Sequence, residues 1–264
     1  MLIQNNLVIS GSWKFRFIND GSFYLKPPFD KKTNAQISPE NINFFSVKFM
    51  LADSGARSIL VDLGIGTLPN NIFTRKEKDR HTLIMDKLKQ YGISKISAIF
   101  FSHLHIDHIG NYLEFNESEI LKNFPDIPCY VSRLEWEFRT SRYPEADEIY
   151  KKYYNALKNN IQLTEEGQEV LPGIITKYIG GHTPGHQTIL FKTEENSICY
   201  TGDLIAMESQ IAKNRSLPFD FDPEYSKHSR ELLLKQGFEE QWILAMNHAP
   251  HVNFKLLEKT KKNE

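Results

Sequence analysis

The chain has 264 residues, with 32 Lys+Arg, 33 Asp+Glu, nine His, a formal net charge of −1 and 40% hydrophobic residues. This balance suits an ordinary globular chain and a single domain over residues 1–264, long enough for a large buried core. It holds no run of about 18 apolar residues that would span a membrane, and a charge near zero argues against bulk binding of nucleic acid.

Taken in chain order, Met1–Lys14 lacks the basic start and apolar run of a secretory signal. Residues 25–42, with three prolines and little apolar content, read as a surface loop. Ser46–Leu51 and Ser58–Val61 read as strands joined by the turn Asp53-Ser54-Gly55. Asp62-Leu63-Gly64-Ile65-Gly66 closes the second strand in a glycine-rich turn. That turn is too short for a phosphate-loop fingerprint, and no Gly-Lys-Ser/Thr follows. The spacing of Leu83, Ile84, Met85, Leu88 and Tyr91 predicts a helix over 75–91, stopped by Gly92. Ser97–Phe101 and Pro128–Ser132 are apolar runs of buried-strand type. Residues 133–158 read as mostly helical.

Further strands are expected at Ile174–Ile179, Thr188–Lys192, Ser197–Thr201 and Trp242–Met246. A helix is expected over Ser226–Gly237, and a solvated basic helix over Lys255–Glu264. Strands and helices in this order predict a mixed α/β layered fold. Cys129 and Cys199 lie in apolar strand-like runs and read as buried thiols of a reducing, cytoplasmic compartment.

Three of the nine histidines fall within six residues, in Ser102-His103-Leu104-His105-Ile106-Asp107-His108. The run starts where the apolar strand Ser97–Phe101 ends, the place where α/β proteins put ligands. If the chain stays extended to His105, His103 and His105 share a side, because the side-chain period is two. A turn after His105 would aim Asp107 and His108 elsewhere, dividing the donors between two neighbouring ions. Imidazole with carboxylate suits zinc, with manganese, iron and cobalt as further candidates. Phe100, Phe101, Ile106 and Ile109 surround the donors, and buried imidazoles need partners.

His-x-His-x-Asp-His after an apolar strand resembles the metallo-β-lactamase-fold hydrolases. The resemblance continues in order through Asp62 with Gly64 and Gly66, Gly181-His182-Thr183-Pro184-Gly185-His186, Thr201-Gly202-Asp203 and Met246-Asn247-His248. It covers residues of about 60–250. It implies an αββα sandwich of two mixed sheets with helices outside and two divalent metals in the edge cleft. It implies that His103, His105 and His182 hold the first ion, that Asp107, His108 and His248 hold the second, and that Asp203 bridges both. A shared hydroxide would offset the repulsion between the ions and act as nucleophile.

His186 and His251 are rival donors. The resemblance makes His186 a loop-fixing residue, and the place directly after the strand favours His248 over His251, which is left to the rim. His81 and His228 read as surface residues on helices. Asp62 reads as an orienter of a ligand, since a metal-bound histidine donates its other N–H to a carboxylate or carbonyl.

The chemistry expected is metal-activated hydrolysis without a serine or cysteine nucleophile, Asp107 carrying the proton to the leaving group. The carboxylate at 203 argues against a true β-lactamase, and His105 against the di-iron electron-transfer branch. Glyoxalase-II-type thioesterases share Thr183-Pro184-Gly185-His186 but add a helical domain, whereas 16 residues follow His248. RNA-processing branches carry clamping segments and a more basic surface.

What remains resembles the lactonases and the aryl- and phosphotriesterases, also through Asp220-Phe221-Asp222-Pro223-Glu224. Lactonases of acyl-homoserine lactones carry a Tyr three residues beyond the bridging Asp, where this chain has Ala206. The expected activity is therefore hydrolysis of an ester or lactone of a small molecule, with acyl-homoserine lactones as one candidate. Phosphotriester or thioester hydrolysis are the alternatives, and a metal-containing binding protein is the non-enzyme alternative. Candidate pocket aromatics are Phe15, Phe17, Phe23, Tyr24, Trp136 and Phe219 or Phe221, though the core is the favoured placement for most of them. Near-zero charge fits a small, uncharged or weakly charged substrate better than a polyanion. A homodimer is the family habit.

Overall fold

The computed structural model describes residues 1–25, 44–66, 73–75, 83–113, 126–142 and 148–258. The loop read over 25–42 lies almost entirely outside them, as does His81. The described strands are β1 (Leu2–Gln4), β2 (Leu7–Ser10), β3 (Trp13–Leu25), β4 (Phe44–Asp53), β5 (Ser58–Val61), β6 (Phe73–Arg75), β7 (Ala98–Phe100), β8 (Cys129–Ser132), β9 (Ile161–Thr164), β10 (Glu169–Leu171), β11 (Ile174–Tyr178), β12 (Gln187–Phe191), β13 (Ile198–Tyr200), β14 (Ile243–Ala245) and β15 (Phe254–Leu256). The helices are α1 (Ile84–Lys89), α2 (Ile106–Ile109), α3 (Arg133–Arg142), α4 (Glu148–Leu157), α5 (Glu208–Lys213) and α6 (Pro223–Glu240).

The strands form two mixed sheets. One runs β1-β2-β3-β4-β5-β7-β8-β9 with β6 on β3, the other β10-β11-β12-β13-β14-β15. Side-chain alternation builds the layers. Met50 and Ala52 of β4, Ile59 and Val61 of β5, and Ala98 and Phe100 of β7 face the second sheet, meeting Ile189, Phe191, Tyr200 and Ile243. Their neighbours Phe49, Leu51, Leu60 and Ile99 point the other way, onto Ile84 and Leu88 of α1 and Tyr153 and Leu157 of α4. On the outer face of the second sheet, Leu190, Cys199 and Leu244 pack with Leu233 of α6. Helix, sheet, sheet and helix therefore stack in that order, as in an αββα sandwich. No helix among the described residues is long and apolar enough to cross a membrane.

Three elements differ from expectation. A strand over Trp13–Leu25 is not among the expected elements; this β3 buries Phe15, Phe17 and Phe23, the core placement expected of most of these aromatics. The strand passes through Asn19-Asp20-Gly21 with a register shift at Asn19/Gly21, Gly21 taking φ 138. The basic segment expected as a helix from Lys255 begins instead as β15, which pairs with β14 through Ala245↔Phe254 and Ile243↔Leu256. The open edge of β14 and the burial of Phe254 outweigh the helical propensity of the lysines there. The helix predicted over 75–91 is confined, among described residues, to Ile84–Lys89, and Arg75 lies in β6.

The C-terminal ends of β5, β7, β13 and β14 come together at one edge of the sandwich, beside the β11–β12 connection. The Tyr200 hydroxyl at the end of β13 donates to Asp62 Oδ2 just after β5 at 2.7 Å. The site lies along this edge.

Candidate metal centre

The chain leaves β7 extended through His105, whose φ −74 and ψ 156 cap α2, and then turns helical. His103 and His105 fall on one side of that turn, and Asp107 and His108 on the other. The β11–β12 connection adds His182, the turn after β13 adds Asp203, and the end of β14 adds His248. All are buried except His105, which is half-buried.

Three groups of donors able to hold a cation result: His103, His105 and His182; His103, His108 and Asp203; and Asp107, His108 and His248. In the first, His103 Nε2 and His182 Nε2 lie 2.8 Å and 3.0 Å from His105 Nδ1. In the third, Asp107 Oδ2 lies 3.7 Å from His108 Nε2 and 3.5 Å from His248 Nε2. Asp203 stands between these two sets. Its Oδ2 faces His182 Nε2 at 3.3 Å, and its Oδ1 faces His108 Nε2 at 3.3 Å and His248 Nε2 at 3.1 Å.

The reverse side of most of these rings is tied down. His108 Nδ1 donates to Asp62 Oδ2 at 2.7 Å, His182 Nδ1 to Asp220 Oδ1 at 2.9 Å, and His248 Nδ1 to the Ser46 carbonyl at 2.7 Å. A ring that spends its proton on one nitrogen presents a lone pair on the other. Asp62 also accepts from Ser102 N and Oγ, both at 2.8 Å, and adopts a left-handed φ of 56. His186 turns away from the donors: its Nε2 accepts the Asp203 backbone N–H at 3.1 Å. Gly202 has φ +51, and a Cβ there would lie 2.5 Å from His186 Nε2, so this close approach requires glycine. Glu135 Oε1 receives Leu104 N at 3.1 Å and Arg139 Nε at 2.9 Å, holding the backbone between the two leading histidines.

Electrostatics separate the donors. Burial, reinforced by the neighbouring imidazoles, holds His103 and His105 well below the usual histidine range, so both are neutral at neutral pH. Burial opposes ionisation of Asp203, but His248, His108 and His182 outweigh it and keep the carboxyl well below the usual carboxylate range. Burial also opposes charge on His108, and Asp203, Asp62 and Asp107 reverse the balance. His108 Nε2 is nevertheless buried without a hydrogen-bond partner. An orphaned imidazole nitrogen among converging lone pairs and carboxylates is the environment that a divalent cation satisfies.

The sequence motif therefore brings together His103, His105, Asp107, His108, His182, Asp203 and His248, with Asp62 and His186 behind them. His251 and His228 are exposed, and neither belongs to a donor group. Phe219 and Phe221 are exposed, Trp136 is half-buried, and the side chain of Tyr24 lies outside the described residues. Sequence reasoning missed Asp220 as the partner of His182, the Ser46 carbonyl, Tyr200, and Asn247, whose Nδ2 donates to Asp203 Oδ1 at 3.2 Å. Asp220 stands 38 residues from His182, beyond any local spacing rule; its place in the Asp-Phe-Asp-Pro segment was the only trace.

Residues 42–248 match the model of the metallo-beta-lactamase superfamily, and the chain belongs to it. Among curated relatives, an N-acyl homoserine lactonase of Bacillus cereus is 27% identical over 233 residues, covering 81% of this chain and 86% of its own. Among solved structures, an N-acyl homoserine lactone hydrolase with N-hexanoyl-L-homoserine bound at its catalytic metal center is 25% identical, with a TM-score of 0.66 over 92% of this chain and 95% of that one. AidC, a dizinc quorum-quenching lactonase, shares the fold at 18% identity, with a TM-score of 0.72 over 98% of both chains.

Proposed function

We propose that this chain is a binuclear metal hydrolase that opens an ester or lactone of a small molecule. The observation that carries the reading is the placement of Asp203, one carboxylate oxygen toward His182 and the other toward His108 and His248. His103, His105 and His182 would hold one cation, Asp107, His108 and His248 the other, with Asp203 shared. The donor set suits zinc. Two such cations would supply Lewis acidity, lowering the pKa of a water at the site to near neutral and polarising the scissile carbonyl.

The chain's own groups do the rest. Asp62, Asp220 and the Ser46 carbonyl fix which nitrogen of His108, His182 and His248 is free. Asp107, in the set with His108 and His248, carries the proton to the leaving oxygen. The lactonase relatives support a carbonyl substrate. The substrate is left as a small ester or lactone because Ala206 is buried and lacks a hydroxyl, its N–H bonded to Gln210 Oε1 and its carbonyl to His248 N.

Metal analysis with a panel of lactones, aryl esters, phosphotriesters and thioesters tests this. Two metals per chain and chelator-sensitive turnover of lactones or esters are expected. Two tightly bound metals with no turnover on any substrate would make the chain a binding protein instead.

A further inference from the structure

A pocket of about 470 Å³ opens beside the loop after β14, outside the donor cluster. Ser46 and Lys48 form its buried floor, and Asn5, Asn6, Asn19 and His251 form an exposed rim. Its chemistry is one-sided: a cation, hydroxyls and amides line it, and no carboxylate does. Lys48 Nζ donates to the Ala249 carbonyl and to Asn253 Oδ1, both neutral, and no carboxylate of the described residues pairs with it. An ammonium has three N–H donors, and a buried one without a counter-charge is costly. Burial pulls Lys48 down to about 8, still protonated at neutral pH. The side chains of Asn5, Asn6 and Ser46 make no hydrogen bond among the described residues and are available to a ligand.

The pocket is separate from the metal donors. Ser46 lies on the Nδ1 side of His248, whereas Asp203 lies on its Nε2 side. Its volume is that of a small organic molecule and exceeds what an inorganic oxyanion fills.

We propose that this pocket binds a small hydroxycarboxylate, its carboxylate on Lys48 Nζ and its hydroxyl on the asparagine amides of the rim. The assignment does not depend on the reaction at the metal centre. Charge-assisted bonds to the ammonium supply the affinity, and the amides, which both donate and accept, select the hydroxyl.

The test is a ¹H–¹⁵N titration of the full-length, metal-loaded protein with 4-hydroxybutyrate, with inorganic phosphate in parallel. Saturable shifts are expected at the side chains of Asn5, Asn6, Asn19 and His251, and phosphate should bind at least about tenfold more weakly. Asn6→Asp places a carboxylate on the exposed rim without touching the core and should weaken 4-hydroxybutyrate at least about tenfold. Lys48→Met should abolish the shifts, and Lys48→Arg should retain them. Where Lys48→Met does not fold, Asn6→Asp decides. Unchanged affinity in Asn6→Asp, shifts confined to the metal-facing histidines, or phosphate binding as tightly as the hydroxy acid would each overturn the proposal.

Discussion

At the scale of single residues, the site depends on carboxylates that never need to touch substrate. Asp62 collects four hydrogen bonds, from Ser102 N, Ser102 Oγ, His108 Nδ1 and the Tyr200 hydroxyl. Asn tolerates the left-handed backbone at this position, so Asp62→Asn isolates the charge. Metal affinity should fall about 10- to 100-fold with the fold intact, as read by chelator competition and circular dichroism. Asp107 is different, because it faces His108 and His248 directly. Asp107→Ala should lose one metal per chain and turnover together; full activity with normal metal content would remove it from the mechanism. The two thiols are bystanders. Burial pushes Cys129 and Cys199 up to about 12, so a thiol reagent at neutral pH should label neither in the native protein and both in denaturant.

At the scale of elements, the short α2 and the loops that meet it are fixed from behind rather than by helix propensity. Four helical residues form no stable helix alone. Glu135 on α3 binds Leu104 N and the buried Arg139, so one ion pair reaches the backbone between His103 and His105. Glu135→Ala removes that carboxylate from a buried guanidinium and should destabilise the fold by about 3 kcal/mol, measured by denaturant unfolding. It should also loosen metal at the His103–His105–His182 set.

The same scale shows where the sequence was legible. The strands Ser58–Val61, Pro128–Ser132 and Trp242–Met246 stand out because they are short apolar runs buried on both faces. β3 did not, because Asn19-Asp20-Gly21 carries a turn signal that tertiary pairing with β4 overrides as a bulge. The lysines near the C-terminus pointed to a helix because nothing local reports that β14 offers an open edge.

At the scale of the whole molecule, metal and fold are linked. Chelation would leave five imidazoles and two carboxylates clustered without a cation, so the melting temperature should drop and recover when a divalent metal is restored. Lys48 gives a pH signature. Its amine is held at about 8 in the fold against 10.5 for the free side chain. Below the lower value both states are protonated and the fold bears the burial penalty; above the higher value neither is. Between them the unfolded chain binds more protons, so this group's contribution makes stability rise with pH. Denaturant titrations across that window should show the rise in the native sequence and its loss in Lys48→Met.

The sequence by itself determined the donor inventory and its order along the chain. Ligand chemistry demands particular residue types, and His-x-His-x-Asp-His after a buried strand states them within one short segment. It also determined the layered α/β class, through the alternation of strands and helices. Only the tertiary structure decided which donors converge, that the two oxygens of Asp203 divide between the sets, and that His248 rather than His251 faces them. It alone supplied Asp220, Ser46 and Tyr200 as the groups behind the rings. Those relations join residues 38 to 202 positions apart, and they exist only because two sheets pack face to face and bring distant strand ends to one edge.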